Sequence, residues 1–129
     1  MDFEWTLEET AFRQRLAALL RIASDPESGP LVFHCTQGKD RTGIAAAVLL
    51  SALGVPWETV MEDYLISNVH RREQSEAQLD SLRLSAASKR GLSPEAVDVA
   101  PIRGLFFVHA SYLEAARDAA LHVARRLGQ

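Results

Sequence analysis

The apolar positions of the chain fall into helical repeats separated by short breaks rich in proline and glycine. Thr6 and Glu9 have the spacing of a capping box, and the apolar residues behind them recur every three or four positions, which predicts a helix over residues 6–23. Residues 42–53 are almost wholly apolar and predict a helix enclosed on most sides, ended by Gly54-Val55-Pro56. Pro56 is suited to the first turn of the next helix, predicted over residues 57–70.

The later segments alternate in the same way between charged and apolar stretches. Residues 72–91 are strongly charged with few apolar anchors and predict a solvated helix or a partly mobile connection. Ser93-Pro94-Glu95 is expected to cap a short turn. Helical periodicity then runs from 106 to 127.

One segment has a different pattern. LVFHC, residues 31–35, is short, β-branched or aromatic, and bounded by Gly29-Pro30 and Gly38, which predicts a strand buried on both faces. A lone strand leaves the N–H and C=O groups of both edges unpaired, and each buried unpaired group costs about 1–3 kcal/mol. We therefore expect another chain or copy to complete the sheet.

Composition and charge narrow the class of protein. The 129 residues, 47% hydrophobic and 24% charged, predict one domain over residues 1–129. A net charge of -3 argues against a nucleic-acid partner or a polybasic membrane binder. The single cysteine cannot form an intramolecular disulfide, and without a second thiolate it is a poor candidate for a structural zinc site. This favours a cytoplasmic setting, and no metal or cofactor is expected. The longest apolar run is far shorter than the ~20 residues of a membrane span.

The densest chemistry lies in HCTQGKDRTG, residues 34–43, between the predicted strand and helix. A strand, a glycine-containing loop and a helix in this order direct free backbone N–H groups and the positive end of the helix at one point, which suits an anion. Arg41 can bind two oxygens of a phosphate, and the same field would lower the pKa of Cys35. Cys35 is therefore a candidate nucleophile, although most lone cysteines are small buried hydrophobes.

A nucleotide-binding loop is the first alternative to exclude. The pattern GxxxxGK[ST] needs Ser or Thr after its lysine and Gly five positions before its second glycine. This chain has Asp40 and Phe33 at those positions. The nucleotide interpretation therefore fails.

The loop resembles the motif HCxxGxxR[ST]G of the cysteine-dependent phosphatases. Together with LGVPWETVMEDYLISN it is most similar to the bacterial tyrosine phosphatases related to phosphoinositide phosphatases, and YLEAARDAA matches more weakly. Relatives are longer and place strands before the first helix of this chain. The resemblance implies an α/β fold of which this chain is the C-terminal half, mostly helical around the strand of the motif.

The resemblance also implies roles for individual residues. Cys35 would attack phosphorus, Arg41 would bind the equatorial oxygens, Thr42 would hydrogen-bond Cys35, and His34 would shape the loop. The backbone N–H groups of the loop would hold the remaining oxygens; these belong to Thr36, Gln37, Gly38, Lys39, Asp40 and Arg41.

The leaving oxygen also needs a proton donor, and no acid-bearing loop is visible upstream of His34. In this branch Asp40 would serve as the general acid, against the alternative that it pairs with a neighbouring cation or caps the helix. Lys39 would add charge at the rim and favour substrates with several phosphates, against the alternative of a solvated loop lysine. His70, His109 and His122 are expected to be ordinary helix residues.

The function expected from these residues is hydrolysis of phosphomonoesters, in a phosphotyrosine protein or a phosphoinositide, through a phosphocysteine intermediate. The alternative is a truncated, catalytically weak phosphate-binding or interaction module. Thiol chemistry of the rhodanese or arsenate-reductase type is a weaker third possibility that would need an external thiol. A homodimer or a complementing chain is the expected assembly.

Overall fold

The computed structural model describes residues 7–128, and this part of the chain is helical. Its six α-helices are α1 (Leu7–Ala23), α2 (Arg41–Ala52), α3 (Trp57–Leu65), α4 (Ser67–His70), α5 (Arg72–Arg90) and α6 (Ala110–Leu127). Two short 3₁₀ helices, Pro94–Ala96 and Ala100–Leu105, lie between α5 and α6. The chain divides into two compact units, Met1–Val55 and Pro56–Gln129, and each is described by itself.

The predicted α/β fold is wrong for the part of the chain that the structure describes. Residues 31–35 form no strand, and residues 7–128 contain no sheet that they could join. The expected burial on both faces also fails, because Val32 is 89% exposed. A β-branched or aromatic run favours a pleated surface shared with neighbouring strands, and without such a neighbour it cannot form a hydrogen-bonded ladder. The prediction of a sheet completed by another chain or copy is therefore also wrong, because it required this strand.

In the first unit, α1 and α2 pack against each other. The prediction of a helix over residues 6–23 is confirmed from Leu7 onward, whereas the proposed cap Thr6 lies outside the described residues. Helix α2 begins one residue earlier than predicted, and its buried side chains are the small ones of Ala45 and Ala47. Small side chains let neighbouring backbone approach closely, so α2 can support the loop that precedes it.

One hydrophobic cluster of the second unit lies between α5 and the segment that follows it. Leu79, only 1% exposed, packs with Ala87, Val97 and Val99. The charged stretch over residues 72–91 is thus a continuous helix, and Gly91 ends it in the left-handed conformation with φ +63°. Over residues 7–128, none of the helices combines the length and the apolar character that crossing a bilayer requires.

Two polar contacts fix the approach to α6. The Asn68 amide donates to the Val108 carbonyl at 2.8 Å and accepts from the Val108 N–H at 2.8 Å. Helix α6 begins later than predicted because His109 caps it, its Nδ1 accepting the Ser111 N–H at 3.2 Å. His109 is therefore an ordinary helix-end residue, as the sequence predicts.

Candidate active site

The loop between Cys35 and α2 owes its shape to a glycine. Gly38 has φ +69°, a left-handed conformation that a side chain disfavours. This turn directs the Gly38 N–H back to Cys35 Sγ, at 3.2 Å. The first turn of α2 begins directly after the loop, at Arg41. The sulfur atom thus lies among N–H groups that carry partial positive charge.

The thiol of Cys35 is activated by this environment. Burial alone would raise its pKa, but the Thr42 hydroxyl and the backbone N–H groups of Thr42, Gly38 and Gln37 lower the pKa to about 7. Each of these donors stabilises the thiolate more than the thiol. A substantial fraction of Cys35 is therefore thiolate, the nucleophilic form, at neutral pH.

Thr42 has an incomplete contact. Its buried Oγ1 forms no hydrogen bond of standard geometry in this structure. It nevertheless lies near enough to Cys35 to contribute more than any other donor to the lowering of the thiol pKa. The contact is therefore best described as a bent or long interaction, which a small rotation of the hydroxyl side chain would complete.

Arg41 is held at the same site by a loop hydroxyl. Its Nη2 donates to Thr36 Oγ1 at 3.3 Å. Both residues line a pocket of about 370 Å³, together with His34, Cys35 and Thr42. The guanidinium and the thiol therefore open onto one space, which is large enough for a phosphate and the group that it esterifies.

Lys39 and Asp40 form an ion pair with each other. Lys39 is only 2% exposed, and its Nζ lies 2.7 Å from Asp40 Oδ2. The alternative of a solvated loop lysine is thus wrong, and Lys39 is not among the residues that line the pocket. Asp40 occupies the N-cap position of α2 but makes no side-chain cap. Of the alternatives for Asp40, pairing with a neighbouring cation is the arrangement seen.

His34 lies beside the loop backbone rather than beside the sulfur atom. Its Nδ1 is 3.2 Å from the Cys35 carbonyl oxygen, a contact in which the ring nitrogen donates. This position suits a residue that shapes the loop. Over the described residues, no three His, Cys, Asp or Glu side chains come together as a metal site.

Part of the pocket lining comes from α1, which the sequence alone does not connect with the loop. Phe12, Arg15, Leu16 and Leu19 line it, and Phe33 and Ala45 complete the lining. The four α1 residues have the spacing i, i+3, i+4 and i+7, which places them on one face of the helix. The sequence signal for this part of the lining was Arg15, which interrupts the apolar positions of α1. Helical periodicity alone assigns a charged residue such as Arg15 to the solvent-facing side.

Comparisons with known proteins indicate the family of this chain. A family profile described as "Tyrosine phosphatase family" matches residues 3–123. A Cupriavidus necator protein named "Putative tyrosine-protein phosphatase" is 39% identical over 84% of this chain and 35% of its own length. The "Triple specificity protein phosphatase PtpB" of Mycobacterium tuberculosis is 36% identical over 78% of this chain and 37% of its own length.

These matches cover most of this chain but only part of each relative. The chain spans about a third of the length of these relatives. No solved structure gives a significant match. The family profile, in contrast, covers nearly the whole chain, including the loop of Cys35 and Arg41. The chain therefore belongs to the tyrosine phosphatase family.

Proposed function

We propose that this protein hydrolyses phosphomonoesters through a phosphocysteine intermediate on Cys35. The observation that supports it best is a thiol with a pKa of about 7 that opens onto the same pocket as the Arg41 guanidinium. A thiolate is a strong nucleophile, and a guanidinium matches the oxygens of a phosphoryl group. Membership of the tyrosine phosphatase family supports the same chemistry.

The proposed reaction has two steps. The Cys35 thiolate attacks phosphorus, the P–S bond forms and the ester P–O bond breaks, and the leaving oxygen takes a proton from an acid. Water then attacks the phosphocysteine and gives one proton to the deprotonated acid, which restores it. The P–S bond breaks, and inorganic phosphate and the thiolate are released. Arg41 and the loop N–H groups, among them that of Gly38, would stabilise the equatorial oxygens in both transition states.

Thr42 would act mainly in the second step. The sulfur atom leaves as a thiolate when water attacks, and a hydroxyl donor beside it stabilises that charge. In the structure Thr42 is the largest contributor to thiolate stabilisation. We expect removal of the hydroxyl to slow hydrolysis of the phosphocysteine more than its formation.

The direct test is release of inorganic phosphate from a small aryl phosphate. We expect turnover by the wild-type chain, none by Cys35→Ser, and a large loss in Arg41→Lys, which keeps the charge but loses the two-pronged geometry. Acid quenching during turnover should trap a phosphorylated cysteine that mass spectrometry detects. Equal phosphate release by the wild type and Cys35→Ser would refute the proposal.

We propose Asp40 as the acid, although its carboxylate is paired with Lys39 Nζ in this structure. Asp40 is more than half exposed, so it can rotate away from Lys39 toward a leaving oxygen. Asp40→Asn should lower kcat by about 10²-fold with phenyl phosphate, which needs a protonated leaving group. The loss should be much smaller with 4-nitrophenyl phosphate, because nitrophenolate leaves without a proton. An equal loss with both esters would assign Asp40 a structural role.

The proposed substrates are a phosphotyrosine protein or a phosphoinositide, and the proposed location is the cytoplasm, where a single thiol such as Cys35 stays reduced. We also propose association with a second copy or a complementing chain. Its support is exposed apolar surface, since Val32 and Leu53 are 89% and 80% exposed. Sedimentation at micromolar concentration tests it, and a stable folded monomer would contradict it.

A second candidate function is phosphate binding with little or no turnover. The Lys39–Asp40 pair favours it, because an acid bound to a lysine is not free to protonate a leaving group. Calorimetry with inorganic phosphate, run beside the turnover assay, separates the two functions. Binding without phosphate release would select the binding module.

A further inference from the structure

The pocket contains a second arginine that the proposed reaction does not use. Arg15 lies on the α1 face that lines the pocket, one turn from Phe12 and from Leu19. It is therefore a cation within an otherwise apolar stripe. Arg21, on the same helix, does not line the pocket. Position on the pocket face, rather than the general charge of α1, distinguishes Arg15.

Arg15 also has no partner among the side chains that the structure describes. No hydrogen bond, ion pair or ring contact involves its side chain there, whereas Arg83 and Arg103 pair with carboxylates and Arg117 stacks on Trp57. Arg41, which also lines the pocket, is held by the Thr36 hydroxyl. A guanidinium has five N–H donors, and those of Arg15 are available to a ligand.

The pocket also has an apolar surface. Phe12, Leu16 and Leu19 form it on α1, and Phe33 and Ala45 complete it. An inositol ring would place several hydroxyl groups against this surface without partners, and each such desolvated hydroxyl is unfavourable. An aromatic ring would bury apolar area there instead. The lining therefore favours an aryl phosphate over a polyol phosphate.

We propose that Arg15 is a specificity-determining residue that pairs with a second anionic group on an aryl phosphomonoester whose phosphate is held at Cys35. This inference rests on the proposed function, because it assumes that the phosphate binds at the Cys35 loop. The natural equivalent is a phosphotyrosine peptide with a carboxylate close to the ring. Arg41 then binds the phosphate, Arg15 binds the second anionic group, and the aromatic ring packs on the apolar surface of the pocket.

The test compares two ring-substituted phenyl phosphates that differ only in charge, one with a carboxylate and one with a carboxamide. The measured quantity is the ratio of their kcat/KM values in the wild type, Arg15→Gln and Arg21→Gln. We expect the wild type to prefer the carboxylate about fivefold, Arg15→Gln to lose that preference, and Arg21→Gln to keep it. A preference that survives in Arg15→Gln, or that disappears equally in Arg21→Gln, would overturn the inference.

A binding measurement tests the role of Arg15 without requiring turnover. Calorimetry with Cys35→Ser and the same two esters, with and without Arg15→Gln, reports the same ratio as dissociation constants. If the wild type turns over neither ester, the proposed function fails while the binding ratio still decides the role of Arg15. A soluble inositol bisphosphate that binds more tightly than the carboxylate ester, and loses that advantage in Arg15→Gln, would contradict the aryl preference.

Discussion

Replacement of Thr42 by valine tests whether the loop activates Cys35 as the structure indicates. Valine keeps the branched shape of threonine and removes only the hydroxyl, the donor that contributes most to lowering the pKa of Cys35. Because the thiolate is the charged form, loss of a donor must raise this pKa. The wild-type thiol, with a pKa of about 7, is about half ionised at neutral pH.

The size of the effect follows from the strength of such contacts. A hydrogen bond to a charged group contributes about 1.5–3 kcal/mol, and about 1.4 kcal/mol corresponds to one pKa unit. Thr42 Oγ1 forms no hydrogen bond of standard geometry, which favours the lower end of this range. We therefore expect the Cys35 pKa to rise by about one unit in Thr42→Val. Near pH 6 the thiolate fraction should then fall almost tenfold.

Alkylation by iodoacetamide measures this pKa directly, because Cys35 is the only cysteine of the chain. The rate is followed against pH, and its midpoint reports the thiol pKa. Thr59→Val, the same substitution at an exposed position of α3, should leave the midpoint unchanged. A wild-type midpoint near that of a free thiol, or the same midpoint in wild type and Thr42→Val, would refute the assignment.

The remaining predictions concern stability and can be measured together by urea unfolding. Gly38→Ala should destabilise the chain by about 1 kcal/mol, since φ +69° strains any side chain even where nothing crowds the new methyl group. Leu79→Ala should cost about 2–5 kcal/mol because Leu79 is 1% exposed, whereas Leu84→Ala, at 57% exposure, should change stability by less than about 0.5 kcal/mol. Asn68→Ala should cost about 2 kcal/mol, because both hydrogen bonds to Val108 are lost. Equal losses of unfolding free energy in Leu79→Ala and Leu84→Ala would show that Leu79 is not a core residue.

The local geometry of the site could be predicted from sequence because it is encoded by neighbours in the chain. The order of Cys35, Gly38 and Arg41 dictates a tight loop before a helix, and the structure has that loop and a helix starting at Arg41. The same holds for α1 and α2, whose apolar repeats are continuous. Each of these features depends on contacts within a few residues.

What the sequence did not predict depends on contacts with distant residues. The composition of residues 31–35 favours a strand, but a strand needs a hydrogen-bonding neighbour, and residues 7–128 provide none. The sequence predicts Lys39 at the rim of the site, with a solvated loop lysine as the alternative, yet Lys39 is almost completely buried and paired with Asp40. Arg15 lies 20 positions before Cys35, and only the packing of α1 against α2 relates it to the site.

The net charge of the chain bears on how Arg15 and Arg41 would attract an anionic substrate. The net charge is -3, so the long-range field does not attract a dianionic substrate. Recognition must then come from contacts shorter than the screening length, about 8 Å at physiological salt. Lys39 contributes little to it, because its ammonium is neutralised by Asp40. If the proposed function holds, the attraction for anions rests on Arg41, Arg15 and the loop N–H groups. The carboxylate preference should then weaken only modestly as salt is raised.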